Sequence, residues 1–245
     1  KKTHQGNKKN GGKFSNSYFE HSSMPEKEVT IKRNAISNPT VDSLLSELEN
    51  FKTTFRIERD KAILNLLEHS GGRRIEIHQV KIDDIYKAKE TGRLKLYTAK
   101  KRNISNPSRE VPIGKEVIDE IIGFITFDRQ ELIDKAITKG KIKNDHGYLL
   151  INYYGNHMGV QSISDEIAII RRAAGITERA HPHLFRHRFV TILLDDIHKS
   201  LTDMGIGDIA DSVRNQLMSL MGWSVDMTPT YEDQYLSEKE GWKNI

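Results

Sequence analysis

His181-Pro182-His183-Leu184-Phe185-Arg186-His187-Arg188-Phe189-Val190-Thr191 is the stretch from which the rest of this chain is read. It puts a His-x-x-Arg pair, His183 and Arg186, at the opening of a helix expected over 182–197. Further on come Gly222-Trp223 and then Tyr231, within Thr-Pro-Thr-Tyr-Glu-Asp, 45 residues after Arg186. A histidine–arginine pair, an indole and then a tyrosine in a short acidic segment suit phosphoryl transfer. The phenol serves as nucleophile and cationic groups stabilise charge on the phosphate. A metal reading competes with this one, because His183 and His187 are four apart on a helix, a zinc-binding spacing. The metalloprotease pattern needs glutamate directly after the first histidine, and Leu184 stands there. His181, before a proline, is expected to point elsewhere. We assign no metal site; core or capping histidines remain the plainer alternative to a catalytic His183.

Charge has to be located before it is interpreted. The 245 residues sum to +4. Residues 1–19 contain five lysines and no acid, so the remaining chain is close to neutral. Within it, residues 87–109 hold eight Lys/Arg against one Glu, and 171–188 hold five Arg against one Glu. Two basic patches on a neutral body describe a phosphate-binding face, although a solvated charged surface accounts for either patch alone. The absence of cysteine excludes disulfides, thiolate metal sites and a cysteine nucleophile. A mean hydropathy of −0.60 and the lack of a long apolar run exclude a membrane-spanning chain. Lysine at position 1 reads as a fragment or processed form of a longer protein.

Residues 1–38, rich in Lys, Asn, Ser and Gly, read as a flexible basic tail or linker. Val41, Leu44, Leu45, Leu48 and Phe51 then follow helical spacing, and Ile57, Ala62, Ile63, Leu66 and Leu67 continue it to the Ser70-Gly71-Gly72 turn. Ile75, Ile77, Val80, Ile82 and Ile85 alternate in part. With Leu94–Tyr97 and Val111–Ile113 they predict a three-stranded antiparallel sheet spanning about 77–113. Helical patterns return from Lys115, with helices expected at 161–174, 182–197, 208–221 and 232–242. The body reads as mainly α with a small antiparallel β-sheet, an α+β fold.

Arg73 follows the glycine turn in Gly71-Gly72-Arg73-Arg74-Ile75-Glu76, where Glu76 can orient a guanidinium by a carboxylate hydrogen bond. Alone, this segment is equally a charged helix C-cap. Taken in order, Gly-x-Arg-x-x-Glu, the lysine run Lys100-Lys101 before a returning strand, His-x-x-Arg-His, Gly-Trp and a tyrosine resemble the catalytic domain of the tyrosine recombinase (phage integrase) family. The resemblance spans roughly residues 40–240. It implies that fold for residues 39–245, with the family's N-terminal core-binding domain absent from this chain.

What the resemblance implies is specific. Arg73, Lys100, His183, Arg186, Trp223 and Tyr231 would be catalytic, and Glu76 and His187 supporting. Lys101 and Arg102 would contact DNA, with Lys101 the alternative to Lys100 as general acid. Tyr235 rivals Tyr231. The reaction would be site-specific cutting and rejoining of double-stranded DNA through a 3′-phosphotyrosine, without metal or other cofactor. The enzyme would be a homotetramer on DNA and a monomer when isolated, in the bacterial cytoplasm or nucleoid. A type IB topoisomerase shares these residues, and a non-catalytic DNA-binding protein shares the fold. The Arg186-to-Gly222 stretch is longer than the family commonly shows.

Overall fold

The computed structural model describes residues 35–98, 107–203 and 217–222. Its centre is α2 (Thr54–Ser70), where Ala62, Ile63, Leu64, Leu66 and Leu67 are all buried. Consecutive buried positions mean that this helix is covered on every side, not along one stripe. Around it pack α1 (Asn38–Leu48), α5 (Lys115–Phe124) and α8 (Pro182–Asp203). Several polar groups inside this shell are paired. Asn65 donates to Glu120 at 2.8 Å, and Arg59 donates to Asp60 at 2.8 Å and to Glu166 at 2.6 Å. Glu166 lies on α7 (Val160–Ala173), so this network ties α2 to α7.

The packed body starts earlier than the expected boundary at residue 39. Ile36 is buried, and Ser37 caps α1 by accepting from the Thr40 backbone N–H at 3.3 Å. Residues 1–34, the bulk of the expected tail, lie outside the described residues, as do the expected helix at 232–242 and most of that at 208–221. Residues 217–221 are helical.

The expected third strand is corrected. Residues 75–78 belong to α3 (Arg74–His78) and 82–85 to α4 (Ile82–Thr91), with a short turn at 79–81 between them. Among the described residues the sheet has two antiparallel strands, β1 (Arg93–Tyr97) and β2 (Ser108–Pro112), with Leu96 opposite Arg109. The apparent alternation of isoleucines was outweighed by helix-start chemistry. Asp84 accepts from the Lys81 backbone N–H at 3.0 Å, and Asp83 and Asp84 place negative charge in the first turn of α4. Strand pairing survives there only as an isolated bridge between Lys81 and Tyr148.

Beyond α5 the helix widens into a π turn (Ile125–Arg129) before α6 (Gln130–Thr138). The turn carries Arg129 inward, fully buried. Its guanidinium donates twice to Asp145 at 2.7 Å and also to the carbonyls of Tyr148 and Leu149. That anchors the loop leading to the buried run Leu149–Ile151. Beside it His78 stacks on His157 at 3.9 Å and His157 on Tyr148 at 3.7 Å. His157 Nε2–H donates to the His78 carbonyl at 2.9 Å. No helix among the described residues is long and apolar enough to cross a membrane.

Burial holds the His78 and His157 imidazoles below the ordinary histidine range. The unfolded chain therefore binds more protons than the folded one as pH falls below about 6.5, and stability drops with it. Asp60, pushed up to about 6 by burial, acts in the opposite sense because its ionised form is the costly one. Comparison of wild type with His157→Phe isolates the imidazole. The variant should lose about 1 kcal/mol at pH 8 through its missing hydrogen bond. Urea titrations should then show it losing less than wild type between pH 7 and pH 5.

Candidate active site

The site grows from the turn that ends α2. Gly71 takes the left-handed conformation (φ 55°) that terminates the helix. A Cβ there would meet Phe189 Cδ1 of α8 at 2.5 Å, so glycine is required both by the backbone and by the approach of α8. Arg73 follows in extended conformation as the N-cap of α3. Glu76, three residues on and fully buried, folds back on it. Its Oε2 accepts from the Arg73 backbone N–H at 2.9 Å, and its Oε1 accepts from Arg73 Nη1 at 2.8 Å. The guanidinium thus leaves the turn with a fixed direction. Arg74 points to α7 instead, donating to Gln161 at 2.7 Å and Ser164 at 2.9 Å.

Opposite stands the start of α8. Pro182 opens it with no N–H to leave unsatisfied, and His183 is exposed one position on. Arg186 lies a turn further and is buried. It donates through Nη1 to the Gly71 carbonyl and through Nη2 to the Met221 carbonyl, each at 2.7 Å. His187 meets His183 edge to face, with ring centroids 4.5 Å apart. Arg73, His183 and Arg186 line one cleft of about 640 Å³ together with Arg74, Ser164 and His181. Arg73 and Arg186 thus border one open space together with the N-terminal end of α8. Among the described residues no three His, Asp or Glu side chains are grouped to hold a metal ion.

Lys100, Lys101, Arg102, Trp223 and Tyr231 lie outside the described residues. One important residue was missed by sequence reading. Arg109, on β2, turns inward and is buried, and its Nη2 donates to Glu76 Oε2 at 2.8 Å. A signal was available: an arginine between the exposed Ser108 and Glu110, in step with the core residue Val111, occupies an inward strand position. Burial alone would raise the Glu76 carboxyl. The charge and hydrogen bond of Arg109, with the backbone N–H and charge of Arg73, outweigh it and hold the group below the usual carboxylate range.

Comparison with known proteins places this arrangement. The model of the phage integrase family matches residues 35–198, more than half of the chain. Among curated proteins, the chain is 30% identical over 138 residues to tyrosine recombinase XerD of Staphylococcus haemolyticus, covering 56% of this chain and 42% of that protein. It is 31% identical over 141 residues to tyrosine recombinase XerC of Staphylococcus saprophyticus, covering 56% and 40%. The chain therefore spans about two fifths of the length of these relatives. Among solved structures, the XerA recombinase is similar with TM-score 0.57 at 18% identity, over 87% of this chain and 66% of that one. The XerH site-specific recombinase bound to its palindromic difH substrate is similar with TM-score 0.59 at 17% identity, over 86% and 52%. At these identities the likeness to both structures concerns the fold.

Two substitutions probe the site's construction. Gly71→Ala combines a left-handed backbone with a collision against Phe189. It should cost about 2–4 kcal/mol of unfolding free energy in denaturant titrations. Glu76→Ala strips a buried counter-charge from Arg109 and should cost about 3–5 kcal/mol, measured the same way.

Proposed function

This chain belongs to the phage integrase family, and we propose that it carries the catalytic domain of a site-specific DNA recombinase. The domain cuts and rejoins double-stranded DNA through a 3′-phosphotyrosyl link. The observation that carries this reading is the convergence of Arg73, His183 and Arg186 on one cleft at the start of α8. A phosphodiester bears diffuse charge, and its pentavalent transition state places more on the non-bridging oxygens. Always-protonated, forked guanidiniums suit that charge, and each positioned donor of this kind supplies about 3 kcal/mol or more.

Tyr231 attacks phosphorus with its phenolic oxygen. The P–O bond to the 5′ oxygen breaks, leaving DNA joined to the enzyme by its 3′ phosphate. A phenol with an ordinary pKa of roughly 10 needs a base, and His183 takes its proton. Lys100, or Lys101 beside it, protonates the departing 5′ oxygen. Trp223 donates its indole N–H to a phosphate oxygen, and His187 supports His183. The reverse attack by a 5′ hydroxyl restores the phosphodiester, so the sequence of steps needs no ATP. The outward face of the β-hairpin, with Arg93 and Lys95 exposed, supplies further phosphate contacts, in addition to those of Lys101 and Arg102. Binding should weaken with salt by a slope of about 0.9 per phosphate contact. Assembly as a homotetramer on two duplexes follows from strand exchange, which needs two cleaved duplexes held together; the same reading puts the protein in a bacterial cytoplasm or nucleoid.

The test is covalent capture. A library of nicked duplexes with random cores, incubated with the protein, should yield detergent-resistant, protease-sensitive adducts that define the preferred site. Tyr231→Phe should abolish the adducts and keep salt-dependent binding, whereas Tyr235→Phe should retain both. Adducts that survive in Tyr231→Phe would overturn the assignment of the nucleophile. Relaxation of supercoiled plasmid without exchange of strands between duplexes would assign the site to a type IB topoisomerase instead.

A further inference from the structure

Arg109 stands outside the set that reads as a phosphate-binding site, yet three parts of the site meet on it. It is an arginine in a strand, turned towards the core with its side chain 4% exposed. An arginine so placed is costly unless its donors are paired; here both Nη groups are paired and the buried Nε has no hydrogen-bond partner among the described residues. Its acceptors come from separate elements. Nη2 reaches Glu76 Oε2 at 2.8 Å and, more distantly, the Gly71 carbonyl at 3.4 Å. Nη1 donates to the Leu220 carbonyl in the helical stretch 217–221.

Each contact bears on a residue assigned to the reaction. Glu76 holds Arg73 through Oε1 and through the backbone N–H on Oε2. Arg109 occupies the remaining side of Oε2, so the carboxylate plane is gripped from both ends and cannot rotate without breaking a charged hydrogen bond. At the other end, the carbonyls of Leu220 and Met221, in the last turn of their stretch, are received by Arg109 and Arg186 respectively. Gly222 follows at φ 63°. A Cβ on it would lie 3.0 Å from Arg109 Cδ and 3.9 Å from Arg73 Nη1. Gly222, after which the sequence runs on to Trp223 and Tyr231, therefore sits close beside the Arg109 side chain.

We propose that Arg109 is a positioning residue for the phosphotyrosine reaction. It orients Arg73 through Glu76 and simultaneously pins the end of the 217–222 segment, so that the phosphate-binding arginines and the chain leading to the nucleophile keep one geometry. Lysine could meet one of these acceptors but lacks the fork that spans them. The activity arm of the test rests on the recombinase reading; the structural arm does not.

The variants are Arg109→Lys, Arg109→Met, Glu76→Gln and the double variant Arg109→Met with Glu76→Gln. Folding is followed by circular dichroism, and Arg73 by ¹⁵N relaxation of its Nε–Hε group in the protein without DNA. Cleavage is followed on the duplex recovered by covalent capture, at saturating concentration. Arg109→Lys and Arg109→Met should slow cleavage by about tenfold to a hundredfold, the scale of a small misplacement, with DNA affinity within about twofold of wild type. Arg73 should lose order in both. In the Glu76→Gln background Arg109→Met should leave Arg73 no more mobile than Glu76→Gln alone, because the carboxylate is the link. The rate of Arg109→Met relative to wild type should fall further from pH 8 to pH 6, as Glu76 becomes easier to protonate with one cation gone.

If Arg109→Met does not fold, Arg109→Lys carries the same readouts. Unchanged Arg73 relaxation in folded Arg109→Lys overturns the proposal, as does a rate loss no larger than the loss of folded protein. If wild type yields no adduct, the recombinase reading fails, while the relaxation data still decide whether Arg109 orients Arg73.

Discussion

A carboxylate with no exposed surface, shared between two guanidiniums, is the constraint on which this molecule turns. Glu76 lies between the half-buried Arg73 and the buried Arg109, and taking the carboxylate and Arg109 out of water is expensive. The cost is offset because both carboxylate oxygens are used and the hydrogen bonds are charged. The result is directional. Removal of Glu76 leaves the buried Arg109 without its carboxylate, and removal of either arginine leaves Glu76 held from one side only. An active site that must aim a guanidinium at one phosphate oxygen gains from that rigidity.

Around this cluster the fold brings together segments remote in sequence. The Gly71 carbonyl accepts from Arg186 of α8 and, more weakly, from Arg109 of β2. Left-handed backbone at Gly71 frees that carbonyl from the helix, and the missing side chain lets Phe189 close on the turn. Beneath it α2, buried on all sides, sets where both the turn and α8 begin. Core packing and site geometry are therefore one problem. A change in how α8 seats on α2 moves Arg186 relative to Arg73.

Local chemistry in the sequence also misled in one place. Ile75, Ile77, Val80, Ile82 and Ile85 suggested a strand, whereas Asp83, Asp84 and the capping of Lys81 by Asp84 start a helix. Side-chain period is weak evidence over ten residues, and helix-terminal hydrogen bonds are specific. Ile36 likewise sat inside a polar stretch with nothing local to mark it as core, because its burial depends on partners far along the chain. The helical patterns at 41–51 and 57–67, from Lys115, at 161–174 and at 182–197 were legible from periodicity, since each presents an apolar face or an apolar whole over several turns; the last continues to Asp203.

The sequence by itself determined the class of fold, the family through its ordered motifs, and the pairing of Arg73 with Glu76. That pairing is local, three residues apart on one helical turn, where short-range geometry suffices. Only the tertiary structure decided that Arg73, His183 and Arg186 share a cleft, and that Arg109 grips Glu76 from across the β-hairpin. Those contacts span 33 to 115 residues of chain. Their cause is burial: a charged group sealed from water takes whichever acceptor the packing of α2, α8 and the hairpin delivers, and no local pattern records that choice.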